Sequence, residues 1–165
     1  VVTRIHASEG EVALTLSNQG PAPAEESFWV DLYVGPDPLP VRVNQIWSDL
    51  SDKGMVWGVT DPLRPGEAIT LTLGDRFYVE TYSDPPEAFE PGMSIYAQVD
   101  SANTETDYGA VLETHEISGA RYNNIEGVRL TSKLLDAARS MLRTISGNST
   151  KEHPEMKPST LPQRP

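Results

Sequence analysis

The chain has 165 residues, 24 Asp/Glu against 13 Lys/Arg, a formal net charge of −11 and no cysteine. Without cysteine a disulfide scaffold, a thiolate zinc site and a cysteine nucleophile are all excluded. A phosphate backbone would be repelled by so acidic a body, so no nucleic-acid partner is expected. No apolar run reaches the roughly 18 residues of a membrane span, and none is expected. The charge is unevenly divided: residues 1–127 hold 6 Lys/Arg and 21 Asp/Glu, whereas 128–165 hold 7 and 3. One copy's tail could therefore attract another copy's body.

Residues 1–5 are β-branched and predict a short first strand. In 11–17, Val12, Leu14 and Leu16 share one face of a second. Asn18-Gln19-Gly20-Pro21 then makes a turn. Residues 28–34 are the strongest strand, with Phe28, Val30, Leu32 and Val34 on one face and Trp29, Asp31 and Tyr33 on the other. The aliphatic face belongs to a core. The second face is covered either by a neighbouring loop or by a partner.

Residues 41–61 read as irregular, and Trp47 and Trp57 predict an insertion that folds back as a lid over a sheet. Pro65-Gly66 and Pro91-Gly92 each predict a type II turn before an alternating run. Those runs are 68–73, with Ile69, Leu71 and Leu73 inward, and 94–100, with Ile95, Ala97 and Val99 on one face. Residues 77–82 predict a further strand or edge, and 125–130 the closing one. About seven strands separated by Gly/Pro turns, without an intervening helix, predict an all-β, Ig-like antiparallel sandwich over 1–130.

Residues 131–165 change character. Leu134, Leu135, Ala138, Met141, Leu142 and Ile145 recur at helical spacing after Thr131 or Ser132, either of which could cap the helix. Residues 151–165 are proline-rich and hold little that could pack alone. Such a helix is marginal unless its stripe is buried. The segment is therefore expected to dock on a body surface of another copy, with Trp29 and Tyr33 as its contacts. A head-to-tail contact of that kind builds a ring if it closes and a filament if it does not, and the filament is expected.

The loop after 94–100 gathers hard oxygen ligands. Asp100, Asn103, Asp107, Glu113, Glu116 and Asn124 could contribute to a calcium site, which takes six to eight oxygens. The spacing is not that of an EF-hand, because Glu105 stands at the obligatory glycine and Val111 at the bidentate glutamate. The competing reading is that these groups cap turns and bond loop backbone. No nucleophile elbow, His-Glu-x-x-His, phosphate loop or dinucleotide fingerprint occurs, so no catalytic residue and no further cofactor is expected. Asn148-Ser149-Thr150 matches a glycosylation sequon.

Several phrases carry a resemblance: Phe28-Trp-Val-Asp-Leu-Tyr-Val34, Val43-Asn-Gln-Ile-Trp47, Leu63-Arg-Pro-Gly-Glu67, and Tyr96-Ala-Gln-Val-Asp-Ser101 running to Tyr122-Asn-Asn124. Through them the chain resembles the CARDB (cell-adhesion-related) Ig-like domains found as repeats in large surface proteins of filamentous bacteria. The resemblance implies an extracellular, non-enzymatic module of adhesion or surface architecture, whose partners are copies of itself or other surface proteins. The alternative is a monomeric module that binds a carbohydrate or calcium through exposed aromatics and the acidic loop.

Overall fold

The computed structural model describes residues 1–8, 11–113, 117–119, 122–134 and 160–165. Seven strands among them form two antiparallel sheets. One sheet has the order β1 (Val2–Ser8), β2 (Glu11–Ser17), β5 (Ala68–Thr72). The other has the order β4 (Lys53–Val59), β3 (Phe28–Val34), β6 (Ser94–Val99), β7 (Ile125–Arg129). The chain crosses between sheets after β2, β4 and β5, which makes an all-β sandwich of Ig-like connectivity. The helical elements in this part are short: α1 (Trp47–Leu50) and a 3-10 turn at Glu80–Tyr82.

Alternation places the core. Val12, Leu14, Leu16 and Leu71 from the first sheet meet Val30, Leu32, Met55, Trp57, Ile95 and Ala97 from the second, each at most 1% exposed. Trp57 also ties the sheets together, its indole Nε1 donating to the Thr72 carbonyl at the end of β5 (2.9 Å). Both Pro-Gly pairs close the expected turns. The Glu67 amide donates to the Arg64 carbonyl (3.0 Å) around Gly66, at φ +78°, and the Met93 amide to Glu90 (3.3 Å) around Gly92, at φ +96°.

The set of strands differs from the expected one at two places. Residues 53–59, expected within an irregular lid, form β4, paired along its whole length with β3. Trp57 is accordingly core and not lid. Residues 77–82 contribute an isolated bridge, Trp57 to Tyr78, followed by the 3-10 turn. The physical reason is that β4 is buried on both faces, so Lys53-Gly-Met-Val-Trp-Gly-Val59 shows no polar alternation to read. Leu73, expected inward, lies past the end of β5 and is 38% exposed.

Beyond β7 and buried Leu130, residues 132–134 are helical. The Thr131 hydroxyl accepts from the Leu134 amide (3.3 Å), the N-cap geometry expected of that threonine. Leu134 is 43% exposed. Leu135, Ala138, Met141, Leu142 and Ile145 lie outside the described residues.

Trp57→Ala is expected to destabilise the fold by about 3–5 kcal/mol, read from the urea midpoint. Trp57→Phe, which keeps an aromatic ring and leaves the Thr72 carbonyl with the Asp75 amide (3.2 Å) as its remaining donor, is expected to cost less, about 0.5–1.5 kcal/mol for the lost hydrogen bond.

Candidate functional site

Over β3 and β4 the outer face of the four-stranded sheet is as closed as its inner one. On β3 it carries Trp29, Asp31 and Tyr33, which pair across to Gly58, Val56 and Gly54 of β4. Asp31 and Tyr33 also pair to Gln98 and Tyr96 of β6. The two glycines leave flat seats on either side of Val56. A Cβ on Gly54 would stand 2.3 Å from the Trp47 ring, and one on Gly58 would stand 2.5 Å from a Leu161 methyl. Real Cβ atoms do not approach so closely, so the seats depend on the missing side chains. Trp47 closes one seat, its Nε1 donating to the Tyr82 carbonyl (2.8 Å), and Leu161 closes the other. A second small apolar cluster results: Trp29, Val56 and Ala102, with Ile46, Trp47, Val79 and Leu161 packed on it.

Asp31 stands in the middle of this face with no solvent exposure. Its carboxylate is satisfied from three directions. The Ser101 hydroxyl donates to Oδ1 (2.5 Å) and the Trp47 amide, first in α1, donates to Oδ2 (2.9 Å). The Arg164 guanidinium completes the set with two parallel bonds, Nη1 to Oδ1 (2.6 Å) and Nη2 to Oδ2 (2.5 Å). The Arg164 side chain is itself only 6% exposed, with its guanidinium 5.4 Å from the Trp29 ring and 5.8 Å from the Tyr82 ring. A bidentate arginine between aromatic rings is the arrangement that a compact ammonium cannot reproduce.

Residues 160–165 lie along this groove by backbone as well as side chain. Trp29 Nε1 donates to the Pro162 carbonyl (2.7 Å), and the Thr104 amide donates to the Gln163 carbonyl (3.0 Å). The segment thus docks where Trp29 was expected to receive it, though on the chain's own sandwich. Tyr33, expected to offer its ring to a partner, does not. It is fully buried, its hydroxyl lying 2.6 Å from the Gln45 carbonyl and 2.7 Å from Gln98 Oε1. The 41–47 loop covers it, because Gln45 Oε1 gathers the amides of Val41 and Arg42 and fixes that loop over the sheet. Burial, and after it the nearby Asp31 carboxylate, pushes the Tyr33 phenol well above its ordinary ionisation range.

The acidic loop after β6 is held by its own polar groups. Asp100, at φ +55° and 2% exposed, accepts from the amides of Ala110 (2.7 Å) and Val111 (2.8 Å). Gly109 is required there, since a Cβ would fall 2.3 Å from the Asp100 carboxylate. Asn103 donates to the Gly109 carbonyl (2.9 Å) and accepts from the Glu105 amide (3.0 Å). Asn124 donates to Glu113 (2.7 Å), Asp107 is exposed, and Glu116 lies outside the described residues. Among the described residues no three His, Asp or Glu side chains gather closely enough to hold a metal ion. Asp31, Gly58, Ser101, Leu161 and Arg164 are among the site residues that sequence reasoning missed. The available signal was Asp31 itself, a lone carboxylate inside Phe28-Trp-Val-Asp-Leu-Tyr-Val34.

No family model matches the sequence, and no curated protein matches it.

Two outcomes follow from the geometry. Arg164→Ala leaves a buried carboxylate without its cation and is expected to lower stability by about 3–5 kcal/mol. In an Asp31→Asn background the same change should cost far less, a coupling that a denaturant-monitored double-mutant cycle reads directly. Tyr33 stays neutral in the folded chain, whereas an unfolded chain ionises it near pH ~10. Its contribution is therefore fully present below pH ~10 and lost as pH rises from there towards the higher folded value. Tyr33→Phe should flatten that alkaline fall in melting temperature.

Proposed function

We propose that the chain is a non-enzymatic, extracellular structural module of CARDB-like kind that assembles with copies of itself, using segment 160–165 as connector and the outer groove of the four-stranded sheet as receptor. The observation that carries this reading is the Asp31–Arg164 pair, in which the sandwich buries a carboxylate whose cation comes from a distant part of the chain. Twenty-five residues, 135–159, separate the two described parts. At about 3.3–3.6 Å per residue that length of chain can span on the order of 80–90 Å, enough to reach a neighbouring copy's groove as well as its own. The opposite charges of body and tail favour either arrangement.

Docking within one chain and docking between two use identical contacts, so concentration decides between them. A tethered segment acts at an effective concentration of about millimolar, and isolated copies close on themselves. Copies crowded on a surface exchange segments, and a heterologous exchange propagates into a filament.

The test is complementation between two full-length chains. Asp31→Asn silences the groove and leaves the segment free; Arg164→Ala silences the segment and leaves the groove open. Mixed, they are expected to form a heterodimer by native mass spectrometry and size exclusion, while each alone stays monomeric. A mixture that behaves as the sum of its separate components sinks the assembly reading.

A further inference from the structure

We infer that the groove is a sequence-selective peptide site that reads the pattern Leu-Pro-x-Arg, with the 160–165 segment of a second copy as its occupant. It rests on the connector reading for that occupant, while the selectivity itself follows from how each position is held.

Leu161 needs the space over Gly58, where the sheet has no Cβ and the Trp29 ring forms the wall. Pro162 presents a carbonyl to Trp29 Nε1 and has no amide of its own to leave unpaired. Gln163 contributes its backbone carbonyl to the Thr104 amide, while its side chain is exposed and only 3.3 Å from the Thr104 hydroxyl; that position tolerates replacement. Arg164 is read most stringently. Its two bonds meet a carboxylate whose plane is already set by the Ser101 hydroxyl and the Trp47 amide, on strand β3 and not on a loop. Lysine reaches both oxygens only from a single point, as exposed Lys53 does to Asp84 (2.8 Å to each), and cannot lay two parallel bonds in the carboxylate plane. A neutral residue would leave the buried carboxylate uncompensated.

Most of the site is built from the sandwich itself. Gly54 and Gly58 shape it, the 41–47 and 101–104 loops supply donors, and Tyr82 and Trp29 wall the guanidinium. An extended proline-containing segment also loses less conformational freedom on binding than a flexible one.

The probe is fluorescein-labelled Thr-Leu-Pro-Gln-Arg-Pro, titrated by anisotropy into the full-length Arg164→Ala chain, whose own segment competes weakly. Binding is expected to weaken about tenfold or more when the peptide arginine becomes lysine or alanine, and to change little when its glutamine becomes alanine. Serine in place of leucine should also weaken it. Adding Asp31→Asn to the receptor should erase the preference for arginine over lysine. The full-length Leu161→Ser chain serves as a second receptor should Arg164→Ala lose its cooperative melt. Equal affinity for the arginine and lysine peptides, an arginine preference that survives Asp31→Asn, or no binding to either receptor overturns the proposal. Selective peptide binding without heterodimers in the complementation experiment would overturn the assembly reading alone.

Discussion

A carboxylate in the middle of a β-strand, closed off from water, demands a complete shell of donors, and Asp31 imposes that demand at the centre of the four-stranded sheet. The cost of burying an uncompensated charge is far larger than the net worth of any neutral hydrogen bond. The outer face of the sheet is arranged to meet it. α1 begins where its first amide can reach Oδ2, the chain leaving β6 turns so that Ser101 reaches Oδ1, and Arg164 supplies the opposite charge. Removing any of these contacts leaves the others holding an unsatisfied group. A polar network of this kind specifies one arrangement of loops where an apolar patch would accept several.

The second consequence is that β3 and β4 are buried on both sides. Their inner face joins the main core, and their outer face holds the smaller cluster around Trp29 and Val56. Gly54 and Gly58 would weaken an ordinary strand, but here they allow Trp47 and Leu161 to lie flat against backbone. Gly127 on β7 serves Tyr96 in the same way, since a Cβ there would stand 2.3 Å from that ring. Strand pairing to β3 supplies the order that the glycines forfeit.

The acidic loop after β6 links this face to the end of the sandwich. Asp100 and Asn103 bind loop amides and carbonyls, and Asn44, at φ +62°, braces the loop by donating to the carbonyls of Asn103 (2.8 Å) and Thr106 (2.9 Å). These bonds hold Ser101, Ala102 and Thr104 in register with β3. Asp100 and Asn103, two of the oxygen-bearing side chains that suggest a cation site in the sequence, thereby also position the loop beside the groove.

Six of the seven strands were legible: β2, β3, β5 and β6 as alternating runs, β1 from its β-branched residues and β7 as the closing segment. β4 was not: it is buried on both faces without the contrast of aliphatic and aromatic faces that marks β3, and Gly54 and Gly58 leave one face nearly without side chains. Phe28-Trp-Val-Asp-Leu-Tyr-Val34 announced by composition alone that its second face needed cover. What covered it could not be read. Asp31 and Arg164 are 133 residues apart, and no local pattern couples positions at that separation. The sequence by itself determined the all-β architecture, the Pro-Gly turns and the place of an acidic residue within the strongest strand. Tertiary structure alone decided the pairing, because only the registers of β4 and β6 on β3 bring Gly58, Ser101 and Asp31 together into a socket that an arginine can fill.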